Sequence, residues 1–293
     1  MDKLDGVIVT WLVSAISSSC YFLVFSLGYS IIFGFQGIVN FAQGAFYMIG
    51  AYTGLMIFLS TQNYGFALLG GFFSVFLLAI LAERSLVSRC YGKDPLYSFW
   101  VTLGLSMAMG GFARFIFGSV PRGFGMPSFI AGSLVFGEIY VQTYRVFQIS
   151  LSILIVIAMY FLLFKTRIGN VIRAGAFKIS AVEALGINVR KYFSLCFGLG
   201  CGLAAIDAVM FAPIFYVAIN SGEMVLLYSF AAVIIGGLGS FRGTIIGSFV
   251  VGFILTLGVA IMGYYSQLLL FVIMVAVLLV RPRGLLGKTG VLD

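Results

Sequence analysis

Within an apolar stretch over 7–59 sits a short polar, glycine-rich cluster: Phe33, Gly34, Phe35, Gln36, Gly37, Ile38, Val39, Asn40, Phe41, Ala42, Gln43 and Gly44. At membrane depth its amides and loosened backbone would lack water. Such groups are tolerated only where protein buries them or where they border a polar path. The cluster therefore predicts a passage through a membrane ahead of any enzyme.

Apolar runs recur along the rest of the chain. A helix needs about 20 apolar residues to cross a bilayer, and the candidates are 7–33, 45–59, 65–82, 96–118, 147–164, 192–216, 225–236, 244–262 and 265–280. Runs 45–59 and 225–236 are short, and each borders a glycine-rich break, so they read as half-helices or re-entrant pieces. The predicted fold is all-α: a polytopic transmembrane helical bundle of about eight or nine spans, built from two pseudo-repeats. Hydrophobic residues fill 62% of 293 positions and charged ones 9%, against roughly 25% charged in soluble domains. No linker or charge block divides the chain, so 1–293 reads as one transmembrane domain. Asp2, Lys3 and Asp5 do not make a positive leader, and the first span is expected to stay in place.

The net charge of +8 is distributed as membrane topology rather than as a nucleic-acid footprint. Twelve of the 17 cations fall in three places: Arg84, Arg89 and Lys93; Lys165, Arg167, Arg173, Lys178, Arg190 and Lys191; and Arg281, Arg283 and Lys288. By the positive-inside rule all three are cytoplasmic. They agree with one another if the N-terminus is outside and the C-terminus inside, most simply with nine crossings. The loop over 119–144, with Pro121 and Pro127, then lies outside, either as a connector or as a docking surface. Histidine is absent, which removes the usual proton relay and metal ligand. Cys20, Cys90, Cys196 and Cys201 form no CxxC spacing and read as small apolar fillers.

A second break, Gly236, Gly237, Leu238, Gly239, Ser240, Phe241, Arg242 and Gly243, lies late in the chain. One interrupted span per half points to a pathway between two repeats. Candidate path residues are accordingly Asn40, Phe41, Gln43 and Gly44 with Gly236, Gly237, Gly239 and Ser240. Gly239, Gly243 and Gly247, four apart, serve tight helix packing in the main. Asp207, a carboxylate inside an apolar run, is a further path candidate. Arg114 can face either water or the headgroups.

The basic segment 165–191 is the longest cytoplasmic gap. Its apolar positions Val171, Ala174, Ile179, Val182 and Leu185 predict one short helix over 171–185, ended by Gly186. That helix could lie on the membrane surface or press into a groove of a cytoplasmic partner.

Three motifs now carry a resemblance. Gly28 to Gly34, Asn40-Phe41-Ala42-Gln43-Gly44-Ala45 and Gly50-Ala51-Tyr52 resemble the opening of branched-chain amino acid ABC transporter permeases, the shorter of their two paired types. The family commonly has histidine where Gln43 stands. The run from Ala232 to Ser240, with Gly243 and Gly247, is similar to the family's late glycine-rich motif. Arg173-Ala174 and Leu185-Gly186-Ile187-Asn188 resemble its coupling loop, although Phe177 and Lys178 replace the usual acidic or amide residues.

The resemblance implies an importer subunit in the bacterial inner membrane, paired as a heterodimer with a second, longer permease. Two cytoplasmic ATPases would use ATP and Mg, and an external solute-binding protein would deliver an amino acid. The coupling residues would be Arg173, Ala174, Lys178, Glu183, Ala184, Gly186 and Ile187. No cofactor is expected on this chain itself, and it is read as non-catalytic. Gly287-Lys288-Thr289 has Pro282 where a phosphate-cradling loop needs glycine, and Gly200-Cys201-Gly202 lies in an apolar span with no strand before it. Permeases for urea, amides, simple sugars or nucleosides are alternatives, and a secondary carrier or channel is a more distant one.

Overall fold

The computed structural model describes residues 2–127, 130, 132–136 and 139–287. Its elements are α1 (Asp2–Gln36), α2 (Gln43–Thr61), α3 (Tyr64–Ser85), α4 (Pro95–Phe117), a hairpin of β1 (Ser133–Phe136) and β2 (Ile139–Gln142), α5 (Thr143–Lys165), α6 (Arg167–Phe177), α7 (Ile179–Glu183), α8 (Val189–Phe211), α9 (Ser221–Gly236), α10 (Phe241–Met262) and α11 (Ser266–Val280). Each apolar run singled out above lies on one of these helices to within a residue at the ends, except 192–216, whose last five residues pass the end of α8. Seven are long and apolar enough to cross a membrane, while α9 and α11 are shorter apolar helices of 16 and 15 residues.

Two expectations change. Run 45–59 looked short because polar Gln43 and Thr61 bound it, yet α2 takes both in and reaches 19 residues, enough to span. The single helix over 171–185 is instead two, α6 and α7, parted at an extended Lys178. The physical reason is packing. A straight helix would carry Val182 about 10 Å beyond Gly175, whereas the bend seats Val182 on Val189 and Phe193.

Helix starts follow local polar chemistry. Asn63 accepts from Gly65 N and Phe66 N, Asp94 from Leu96 N, Thr166 from Gly169 N, Asn188 from Lys191 N and Ser240 from Gly243 N. Each side chain satisfies a donor that the first helical turn leaves open.

Helices α1 and α8 form the centre, with α2, α3, α5, α9 and α10 around them. Paired glycines set the closest crossings. A methyl on Gly200 would meet Gly28 O at 2.6 Å, and one on Gly44 would meet Gly222 O at 2.6 Å. Small residues thus let backbones approach where lipid offers no hydrophobic drive to associate. α8 has 83% of its apolar window buried and α4 only 11%, so α4 stands at the rim.

Pro213 explains how α8 ends. It has no N–H for Val209 O, its i−4 carbonyl. Tyr144 Oη and Gln148 Nε2 donate to Met210 O at 2.7 and 2.8 Å, and the one Tyr64 hydroxyl proton is shared between Val209 O at 3.3 Å and Tyr144 Oη at 2.8 Å. Side chains from α3 and α5 replace the missing backbone donors.

Candidate functional site

The polar cluster at 33–44 is a break in which the chain turns back into the bundle. α1 ends at Gln36, whose Nε2 donates to Phe193 O near the start of α8. Gly37 takes a positive φ of 66°, and the backbone runs unwound to α2. Gln43 Nε2 then donates to Phe25 O at 3.2 Å. Phe25 precedes the end of α1 by 11 residues, so the segment has climbed about 16 Å along that helix. α2 therefore begins inside the bundle, beside the middle of α1.

Thr102 on α4 holds the unwound strand. Its hydroxyl accepts from Phe41 N at 3.1 Å and lies 3.1 Å from Val39 O and 2.8 Å from Ser98 O, one of which takes its proton. Asn40 Oδ1 accepts from Ala42 N at 3.1 Å, and its Nδ2 points to Cys201 Sγ at 3.5 Å. Asn40 and Gln43 are both fully buried, so their amides brace the break.

A cavity of about 630 Å³ opens beside this break, between α1, α2, α4 and the start of α9. Phe41 and Gly44 line it together with Tyr29, Met48 and Phe230. The α4 wall is one helical face, Leu103, Ser106, Met107, Gly110, Gly111 and Arg114, at the three- and four-residue spacing of a single stripe. Asn220 and Glu223, at the start of α9, face it as well. An apolar cleft with few polar groups is what a small-solute site requires.

The other candidates lie elsewhere. Gly239 and Ser240 line a second cleft, of about 900 Å³, where the ends of α1, α6 and α9 meet the segment 91–92 and the tail 285–287. Gly236 packs on Gly243, and Gly237 against Gly287. Tail amides at Leu285 and Leu286 donate to Ile235 O and Gly236 O, closing the end of α9. Asp207 is fully buried on α8, and neither carboxylate oxygen has a partner among the described residues. It does not line either cleft.

On the loop at 165–191, Arg173 donates to Asn170 Oδ1 at 2.6 Å and lies 5.1 Å over the Phe164 ring. Ala174, Lys178, Glu183, Ala184 and Gly186 are exposed and Ile187 is half-buried. Gly186 has φ +78° in the turn that ends this pair of helices, the conformation expected of a terminating glycine. Phe177 and Leu185 stand 81% and 78% exposed.

Sequence reasoning missed Glu83, Thr102 and Glu223, and it left Arg114 open. Glu83 is buried at the end of α3, and its two carboxylate oxygens accept from Tyr91 Oη and Ser194 Oγ, both at 2.5 Å. Burial first, then this carboxylate, keeps the Tyr91 phenol above the usual tyrosine range. Ser106, Gly110 and Gly111, at helical spacing before Arg114, were the usable signal for the cavity wall.

A many-span bundle with a broken helix beside a membrane-depth cavity, and a basic loop at one end, has the architecture of a membrane transport permease. The family model described as the branched-chain amino acid transport system / permease component matches residues 11–278, and the chain belongs to that family. It is 28% identical over 290 residues to the high-affinity branched-chain amino acid transport permease LivH of Escherichia coli strain K12, covering 93% of each. It is 26% identical over 297 residues to BraD of Pseudomonas aeruginosa, covering 96% of each. The probable LivH of Methanocaldococcus jannaschii is 26% identical over 293 residues, 93% of this chain and 90% of the relative. No solved structure matches the chain. The protein is thus a multi-pass permease subunit of the inner membrane.

Proposed function

We propose that this permease imports branched-chain amino acids as half of a heterodimer with a longer permease. An external binding protein delivers the solute and two cytoplasmic ATPases supply the energy. The cavity beside the break at 37–42 carries the reading: it is small, mostly apolar and reaches the depth at which α2 begins. The named relatives are branched-chain amino acid permeases, and leucine, isoleucine and valine fit an apolar wall of this kind. Phe41 and Gly44 border the path, Asn40 and Gln43 hold its backbone, and Gly236, Gly237, Gly239 and Ser240 shape its inner mouth. Asp207 would act on the path only through the helices it packs between.

Coupling uses the exposed surface of α6, α7 and the turn after them. Phe177 and Leu185 enter an ATPase groove, with Arg173, Ala174, Lys178, Glu183, Ala184, Gly186 and Ile187 around them. An apolar-faced helix entering a groove is a common docking mode.

The test is reconstitution of this chain with its partner permease, ATPases and binding protein in proteoliposomes. ATP-driven uptake of leucine, isoleucine and valine is expected. Ala184→Asp places a charge in the apolar contact and should cut uptake and binding-protein-stimulated ATP hydrolysis about tenfold, a loss of about 1.4 kcal/mol. Uptake of urea or ribose in place of these amino acids would overturn the substrate. Undiminished stimulation in an assembled Ala184→Asp complex would overturn the coupling surface.

A further inference from the structure

The cavity is lined by one charge of each sign, carried on two different helices. Arg114 closes the α4 stripe, three residues before that helix ends, and Glu223 stands in the first turn of α9. Asn220 lines the cavity as well and makes no capping hydrogen bond with its side chain. Deeper in, Tyr29, Phe41 and Phe230 form an aromatic wall, with Tyr29 and Phe41 each edge-on or tilted against Phe230. Glu223 is held beside the break because Gly222 and Gly44 touch backbone to backbone.

We propose that Arg114 and Glu223 form a zwitterion-reading station on the path. Arg114 takes the α-carboxylate of an amino acid in transit, and Glu223 takes its α-ammonium. The apolar side chain then lies against Tyr29, Phe41 and Phe230. The inference rests on the amino-acid reading and deepens it by naming the residues that recognise the backbone of the substrate.

The physical case is charge balance in a mostly apolar cleft that offers few other polar partners. A carboxylate and an ammonium a few ångströms apart need one donor and one acceptor of opposite sign, and charge-assisted bonds of this kind are about twice as strong as neutral ones. A solute carrying only one of the two charges forms one charge-assisted bond instead of two and is held correspondingly more weakly. Neither charge has another assignment: Arg114 and Glu223 are exposed in the single chain and open to the cavity. On a helix otherwise facing the rim, an arginine aimed at a shared cavity is placed for a ligand.

The experiment uses the complete complex in proteoliposomes, with radiolabelled leucine as the probe. Arg114→Gln and Glu223→Gln should each lower uptake at least about tenfold, while Arg114→Lys and Glu223→Asp, which keep the charges, hold it within roughly threefold of wild type. A second arm places a single cysteine at Ser106, which lines the same cavity. Leucine should slow its modification. Neither 4-methylpentanoate, which lacks the ammonium, nor 3-methylbutylamine, which lacks the carboxylate, should do so.

Wild-type uptake in both glutamine variants overturns the station and leaves the amino-acid reading intact. Equal loss in the charge-keeping variants, or loss of complex assembly in all four, overturns it too, because the positions then serve packing. Protection by the single-charge analogues equal to that by leucine has the same force. A wild-type complex that imports urea or ribose and no leucine overturns the amino-acid reading, and the station falls with it.

Discussion

The end of α8 shows how one residue type recruits others. Pro213 leaves Val209 O without its backbone donor, and Met210 O is also in the last turn. Tyr64, Tyr144 and Gln148 converge on these two carbonyls, and the Tyr64 and Tyr144 hydroxyls are themselves 2.8 Å apart. In lipid the alternative is an unsatisfied carbonyl, so removing donors should be felt in steps. Tyr144→Phe leaves Gln148 on Met210 O, and Gln148→Leu leaves Tyr144, so each single change should cost about 1 kcal/mol or less. The double variant strands the carbonyl and should exceed the sum of the singles by about 1 kcal/mol or more. Thermal unfolding of the detergent-purified protein reads this directly; simple additivity would mean that the two donors act independently.

At the scale of elements, glycine has two separate uses. Gly28, Gly44, Gly200 and Gly222 let helices touch, and an added methyl at any of them meets backbone. Gly110 and Gly111 are different: a Cβ on either has nothing within 4 Å, because both border the cavity. Gly110→Leu should therefore fill the cavity without a clash, and replacing a helical glycine adds about 0.5–1 kcal/mol of stability. The expected result is an unchanged or higher melting temperature with uptake down about tenfold or more. Retained uptake would place the path elsewhere. This difference was not legible in the sequence, where glycines at packing crossings and at an open wall look alike. The spans and the break at 33–44 were legible, because apolar run length and the cost of buried amides are local properties. The bend at Lys178 and the hairpin over 133–142 were not, since Val182 bends the chain only by packing on Phe193. The hairpin's two short strands, Ser133–Phe136 and Ile139–Gln142, lie in a segment that the sequence offered only as a connector or a docking surface.

For the molecule as a whole, the ends of the helices sort into two faces. One gathers Gly37, Tyr91, Phe177, Arg242 and the tail at 285–287 around the wider cleft. At the other, the segment after α4 joins the segment after α8 through Arg122 and Val217, each donating its amide to the other's carbonyl at 2.9 Å. The chain alternates between these faces through α1, α2, α3, α4, α5, α8, α9, α10 and α11, with α2 starting from within. Arg84, Arg89 and Lys93, the cations of α6, and Arg281 and Arg283 all belong to the face with the wider cleft. Positive charge collects on the cytoplasmic side, so that face is inside and the Arg122 face is outside. The four native cysteines are all buried, which leaves engineered thiols as the reporters. Lys178→Cys should resist an impermeant thiol reagent in intact cells and react once the membrane is opened, whereas Tyr216→Cys, 73% exposed beside Val217, should react from outside at once. Labelling at 178 in sealed cells would invert the topology, and would put α6 and α7 on the wrong side of the membrane to meet an ATPase.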